Sequence, residues 1–177
     1  LTSDLPDKPK KLFNVLPPIL EKEHSLEAFL PFIQNALPDA QIVPLLVQAT
    51  SWDNLEALAE ATASNAAAYF KERGWDLGRD VQVLISNDAV HYGDQGWGGK
   101  NHAPYGVGVE GLTKAKANDR RLIGAYLEGP IRPERLKGLM GELVDDKDPY
   151  LLSYRVTWCG RFAVPFGLEF TRRLSEK

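Results

Sequence analysis

The spacing of the apolar residues changes several times along the chain. Short, nearly continuous apolar runs at 41–47 and 81–86 have the length and β-branched content that are typical of buried strands. Between them, apolar residues recur every three or four positions over 55–70, after a candidate N-cap at Ser51 and before Gly74. This order predicts a β-α-β unit with two parallel strands.

The rest of the chain is predicted to be mostly helical. Periodic apolar segments indicate one helix that ends before Gly129, another that begins at Pro133, and a last one that follows Cys159. Residues 26–33 also have helical spacing, and Pro31 is expected to kink that helix or to lie at its start. Further strands are expected from less regular stretches or from a partner, because two strands do not form a stable sheet alone.

These segments predict one domain. Residues 1–22 lack a sustained period and are expected to form an extended lead-in to a single α/β domain over 23–177. The 177 residues, 44% of them hydrophobic and 25% charged, fit a globular domain with a sizeable core. A net charge of −3 argues against nucleic acid as a partner. Membrane insertion is not expected, since no apolar run approaches the roughly 20 residues that cross a bilayer.

The first residue and the single thiol set two further expectations. The chain begins with Leu1 rather than Met, which indicates that an upstream segment was removed or is missing, and a cytoplasmic location is favoured. Cys159 is the one cysteine of the sequence. An internal disulfide framework and a cysteine-rich zinc site are therefore excluded.

Chemistry is first expected where the second predicted strand ends, in Ser86-Asn-Asp-Ala-Val-His-Tyr92. In open parallel sheets, ligands bind beyond the carboxyl ends of the strands. Asp88 lies three residues before His91 and could hold one imidazole nitrogen, which leaves the other as a proton acceptor or a metal ligand. The alternative is that Asp88 caps the following turn and that His91 is a half-buried, hydrogen-bonded histidine.

Two other segments carry candidate chemistry. Glu23 and His24 precede an apolar stripe and could face the same cleft, or Ser25 could cap a helix with His24 on the surface. Cys159 is predicted to open the last helix, where unpaired N–H groups and the nearby Arg161 favour a thiolate ligand or nucleophile. The alternative is that Cys159 is an inert small core residue.

A glycine-rich loop covers residues 93–111. Its last part, Gly106-Val-Gly-Val-Glu-Gly111, matches a dinucleotide-binding pattern, but that pattern requires a strand immediately before it and the preceding residues form a poor one. We expect instead a flexible loop whose Trp97 and Tyr105 shape or cover a cleft.

Three motifs together resemble the Memo family, also called the AmmeMemoRadiSam system protein B group. They are Glu23-His-Ser-Leu-Glu27 followed by Leu30-Pro-Phe32, then residues 86–92, then Cys159-Gly160 with Pro165 five residues after the glycine. The fold of this family resembles that of class III extradiol ring-cleavage dioxygenases, which use non-haem iron. The resemblance covers roughly residues 10–174 and implies an α/β layered domain, with a parallel or mixed sheet flanked by helices.

The resemblance also implies roles for single residues. Cys159 is implied to be a metal ligand, and Asp88 and His91 are implied to line the same cleft, with His91 as the acid-base group. Glu23 and His24 resemble the Glu-His pair that lies beside the cleft in this family. Whereas the residues alone left each of these positions open, the resemblance favours the functional alternative at His91 and Cys159.

One part of the family pattern is missing from this sequence. The two histidines that complete the metal site of the family lie in an amino-terminal half with a Pro-His-Ala-Gly type motif, and the chain has neither that motif nor the closing strand after the last helix. We expect an incomplete or diverged Memo-like domain, a carboxyl-terminal portion of the family's domain. Fe or Cu would bind in the complete protein, whereas this chain alone would hold a metal poorly.

Three functional hypotheses follow. The leading one is a metal-dependent redox enzyme, an oxidoreductase related to extradiol dioxygenases, which would act on a small aromatic ligand. The second is a non-catalytic module that binds a peptide or an aromatic ligand in the same cleft, whose surface would be supplied by Tyr92, Trp97, Tyr105 and Arg161. The third is a hydrolase that uses a Cys-His-Asp set for nucleophilic catalysis.

Overall fold

The computed structural model describes residues 20–89, 91–95, 102–145, 147–148, 155–156 and 158–177. The described residues include five α-helices, which are α1 (His24–Ala36), α2 (Trp52–Arg73), α3 (Val109–Leu122), α4 (Pro133–Leu143) and α5 (Ala163–Ser175). A π-helical turn, Ile123–Leu127, continues α3 toward α4. Most of the predicted lead-in over 1–22 lies outside the described residues.

Helix α2 confirms the prediction from its periodic segment. The Ser51 side chain is the N-cap and accepts a hydrogen bond from the Asn54 N–H at 3.3 Å. Gly74 ends the helix in the left-handed region, with φ of 65°, where a residue without Cβ has no steric penalty. Both ends of the longest helix are therefore encoded in the local sequence.

The helices in the second half also follow the sequence pattern. Pro133 lies in the first turn of α4, where its missing N–H costs no helical hydrogen bond. Pro165 also lies in the first turn of α5, as predicted. The helix predicted to end before Gly129 ends as the π-helical turn at Leu127.

The core forms where α2 packs against α5, the most extensive helix–helix contact among the described elements. Leu55, Ala59 and Ala63 recur on one face of α2 and are fully buried. The small alanines let α5 approach closely, and its Phe166 and Phe170 rings stack with centroids 6.2 Å apart. Helix α4 adds Leu139 and Leu143 to the same core.

Helix α1 contributes no buried residue. Its N-cap is Glu23, whose carboxylate accepts the Ser25 N–H at 3.1 Å, so Ser25 is not the cap. The helix continues through Pro31 rather than starting there, and Phe32 on its surface is 75% exposed. The apolar stripe of α1 is thus only partly covered, with Leu26, Phe29 and Ile33 half-buried.

The expected layered sheet is wrong for the described part of the chain. No described residue belongs to a β-strand, and Leu77 and Val81 form an isolated parallel bridge. Residues 41–47 form no strand, and Ile42, Val43, Leu45 and Leu46 are each 43–49% accessible, whereas Val47 is partly buried against the core. The architecture is a helical assembly with extended segments on it, and the predicted β-α-β unit is absent there.

The physical reason lies in the non-local character of sheets. β-branched residues favour an extended backbone, but a ladder forms only when a second strand supplies the opposite hydrogen bonds. In 81–86, Val83 and Ile85 are partly buried against the helical core while Leu84 between them is 60% exposed. The segment therefore has the alternation of a half-buried strand and lacks only its neighbour.

The helices do not support a membrane span. Within the described ranges, no helix is both long enough and apolar enough to cross a bilayer.

Candidate functional site

The segment 86–88 pairs closely with the turn before α5. The Asp88 N–H donates to the Cys159 Sγ at 3.1 Å, and the Cys159 N–H donates to the Asp88 carbonyl at 3.0 Å. These reciprocal contacts join residues that are 71 positions apart in sequence. The backbone of the predicted acidic residue thus fixes the position of the single thiol.

The Asp88 carboxylate also holds His91. Its Oδ2 lies 2.8 Å from the Nε2 of His91, and the imidazole is 22% exposed whereas the carboxylate is 58% exposed. Such a contact favours the neutral tautomer in which Nε2 carries the hydrogen and Nδ1 is the basic nitrogen. Asp88 is therefore the common neighbour of the other two predicted site residues.

Two contacts beside Cys159 were not predicted from the sequence. The Asn87 Oδ1 accepts the Gly160 N–H at 2.9 Å, and the Asp119 carboxylate accepts the indole N–H of Trp158 at 3.1 Å. Asn87 lies in the same sequence motif as Asp88, so the sequence could have indicated Asn87 as a site residue. The contact with Asp119 had no sequence signal, because α3 and the turn before α5 are far apart in sequence.

Burial acts strongly on the Asp119 carboxyl. Its pKa is raised above the ordinary value because desolvation outweighs the hydrogen bond from Trp158, which acts in the opposite direction. Trp158 itself is 3% exposed. The pair anchors the turn that carries Cys159 to helix α3.

Cys159 itself is exposed and lies in the turn that precedes α5, before the helix begins at Ala163. Cys159 is therefore not an inert core residue. Arg161, the expected positive neighbour, is only 7% exposed and lies 5.5 Å from the Phe162 ring centroid, so it offers little surface to a ligand.

The Glu23–His24 pair has a local role in the structure. His24 is 90% exposed in its side chain, and its Nδ1 lies 3.5 Å from the Glu23 Oε1. Hydrogen bonds from Ser25 lower the pKa of the Glu23 carboxyl below its ordinary value. No described contact joins this pair to Asp88, His91 or Cys159.

Hydrogen bonds join residues on the two sides of the loop that follows His91. Gly93 and His102 exchange N–H···O contacts of 2.8 and 3.4 Å, and the Tyr92 hydroxyl donates to the Gly106 carbonyl at 2.7 Å. Gly111, the last glycine of the dinucleotide-like pattern, packs directly against the Gly106 backbone. Gly111 thus serves close packing, Gly106 and Gly108 have positive φ, and no described strand precedes this pattern. Trp97 lies outside the described residues.

The family model for Memo-like proteins matches residues 18–177. The chain belongs to the Memo family. It is 31% identical over 160 residues to a MEMO1 family protein of Pyrococcus abyssi, which covers 88% of this chain and 46% of that relative. A MEMO1 family protein of Thermococcus onnurineus is 31% identical over 126 residues, 68% of this chain and 38% of its own length. This Memo-family chain thus spans less than half the length of these relatives. No solved structure matches it significantly.

The described residues do not complete the metal site that the family resemblance implies. Among them, no group of three or more His, Cys, Asp or Glu side chains lies close enough together to hold a metal ion. Cys159 alone does not satisfy the coordination of Fe or Zn, so a metal at this place would need ligands in addition to this sulfur.

Proposed function

We propose that the chain is part of a metal-dependent redox enzyme of the Memo family, with Cys159 as a metal ligand and His91 as the acid-base group. One observation carries this proposal: Asp88 contacts both residues, through its backbone to the Cys159 sulfur and through its carboxylate to the imidazole. An imidazole oriented by a carboxylate is suited to proton transfer. Fe or Cu, with further ligands from outside the described residues, would supply the redox chemistry when bound.

The proton chemistry follows from the residues themselves. The Asp88 carboxylate favours Nδ1 as the basic atom of His91, and it stabilises the imidazolium that forms when Nδ1 takes a proton. The partial burial of the imidazole strengthens this electrostatic contact relative to a fully solvated pair. We infer that His91 accepts a proton from an acidic group of a substrate bound beside Cys159.

A small aromatic molecule is the ligand class that we propose for this enzyme. The binding-module hypothesis, in which Tyr92 and Tyr105 hold a peptide, receives less support. These residues flank a cavity of about 20 Å³, which has room for one water molecule. A larger apolar groove of about 230 Å³ lies between the π-helical turn, α4 and α5 and contains none of the predicted site residues.

The test uses Cys159→Ser and His91→Ala in the natural protein, with His24→Ala as a matched histidine control. We expect Cys159→Ser to lose Fe or Cu in metal analysis. His91→Ala should keep the metal and lose about 10²- to 10⁴-fold in turnover. His24→Ala should change neither, because that side chain is almost fully exposed.

Three results would contradict the proposal. Full metal retention in Cys159→Ser would remove Cys159 from the ligand set. Activity that survives a chelator but not Cys159→Ser would favour the hydrolase hypothesis, in which the sulfur is the nucleophile and needs no metal. Binding of catechol with no turnover in any variant would favour the binding module.

A further inference from the structure

The contact between residues 87–88 and 159–160 consists of three hydrogen bonds. Two of them join Asp88 and Cys159, and the third joins the Asn87 carboxamide to the Gly160 N–H. A substitution at Asp88 or Cys159 would alter the proposed site itself. The hydrogen bond between the Asn87 side chain and the Gly160 N–H can be removed by a substitution at Asn87, which leaves Asp88 and Cys159 unchanged.

The fit between Asn87 and Gly160 is close. A Cβ at position 160 would lie 2.7 Å from the Asn87 Oδ1 and 3.0 Å from the Ser86 carbonyl oxygen, distances that real Cβ contacts rarely or never show. Gly160 is buried, so its N–H depends on a protein acceptor, and Asn87 provides it. The sequence pair Asn87 and Gly160 is thus matched in size and in hydrogen bonding.

The contact between Asn87 and Gly160 affects Cys159, which lies directly before Gly160. The thiol is exposed and lies before α5, and the Gly160 carbonyl that follows it accepts the Val164 N–H of that helix at 2.7 Å. On the amino-terminal side of Cys159, Trp158 is anchored to Asp119. On its carboxyl-terminal side, the Gly160 N–H is held by Asn87. Cys159 lies between two anchors, of which only Asn87 belongs to the segment that contacts the sulfur.

We propose that Asn87 is a positioning residue that keeps the Cys159 sulfur in register with the Asp88 N–H and therefore beside the Asp88–His91 pair. The proposal rests on the proposed function in one respect only, that the sulfur of Cys159 is the functional atom. Without the Asn87 acceptor, the turn at 159–160 shifts relative to Asp88, while the Trp158 anchor keeps the rest of the turn on α3.

The experiment uses the full chain without metal and measures the rate at which iodoacetamide alkylates Cys159. The sequence holds one cysteine, so the rate reports a single site. Asn87→Ala should slow alkylation by about 3- to 10-fold, the equivalent of one hydrogen bond to the sulfur. Asn65→Ala is the matched control, because Asn65 donates to the Ala61 carbonyl within α2, away from the site. Asn65→Ala should leave the alkylation rate within about twofold of the rate of the natural chain.

Two further measurements separate positioning from a structural role. Asn87→Asp keeps an oxygen acceptor, so at high salt, where its added charge is screened, it should alkylate within about twofold of the natural chain. His91→Ala should slow alkylation in the natural chain and have no further effect in the Asn87→Ala background. An unchanged rate in Asn87→Ala with a lowered free energy of unfolding would overturn the proposal.

Hydrogen exchange gives a test that needs no variant. The Gly160 N–H of the natural chain should exchange at least about tenfold more slowly than an unprotected amide, because Asn87 accepts it in a buried position. An unprotected Gly160 N–H would overturn the proposal even if Asn87→Ala fails to fold. None of these measurements uses a metal. If Cys159→Ser keeps its metal and thereby contradicts the proposed function, the alkylation and exchange rates still test the role of Asn87 separately.

Discussion

The carboxylate of Glu169 is fully buried and accepts a hydrogen bond of 2.6 Å from the Nε of Arg173. Arg172 donates to both oxygens of the same carboxylate at 2.6 and 2.9 Å, and Arg173 continues to Glu56 and Glu60 on α2. A charged network therefore joins α5 to α2 at the edge of the main helix contact.

Glu169→Gln should lower the free energy of unfolding by about 2–3 kcal/mol, because it leaves two partly buried guanidinium groups without their shared carboxylate. Urea unfolding at pH 7 measures the loss. The matched control is Glu176→Gln, which removes the 58% exposed carboxylate that also contacts Arg172 and should cost less than about 0.5 kcal/mol. Equal losses in the two variants would contradict a special role for the buried carboxylate.

The Glu169 carboxylate also makes the stability of the folded chain depend on pH. Burial alone would raise the pKa of Glu169, but the hydrogen bonds from Arg172 and Arg173 outweigh it and lower the pKa below the ordinary value. A lowered pKa in the folded state contributes stability above the unfolded pKa of about 4.3, and this stability is lost as pH falls through the folded pKa. Unfolding measured from pH 7 to pH 3 should show a smaller loss in Glu169→Gln than in the natural chain.

Asp119 should show the opposite dependence on pH. Because burial raises its pKa, the ionised carboxyl costs stability at neutral pH, and this cost disappears as pH falls through the folded pKa. Asp119→Asn keeps an oxygen for the Trp158 indole and should leave stability at pH 7 unchanged or higher. Asp119→Leu leaves the indole N–H without that acceptor and should cost about 1–3 kcal/mol. Thermal unfolding of both variants checks this, and equal destabilisation by Asn and Leu would refute it.

Neighbouring residues of the extended segment 81–86 should respond very differently to truncation. Ile85→Ala should cost about 2 kcal/mol or more, because Ile85 packs against the helical core and directly against Gly167. Leu84→Ala should change stability by less than about 0.5 kcal/mol, since that side chain is 60% exposed. The two urea midpoints give the comparison. A large loss in Leu84→Ala would show that something covers this residue in solution.

The sequence by itself determined the local elements. Ser51 and Gly74 mark the ends of α2, and Pro133 marks the start of α4, because caps and proline positions act through neighbouring backbone groups. The three motifs at 23–32, 86–92 and 159–165 also identified the family, which the match over 18–177 establishes. These features depend on residues that are near each other in the chain or on residue types alone.

Only the tertiary structure decided which distant residues meet. Asp88, Cys159 and His24 were all predicted to face one cleft. The tertiary structure brings Asp88 to Cys159 but leaves His24 exposed. It also leaves the apolar run at 41–47 unpaired, although its residues are those of a strand. Strand pairing and side-chain convergence depend on partners that are remote in sequence, and neither residue spacing nor backbone propensity encodes where those partners lie.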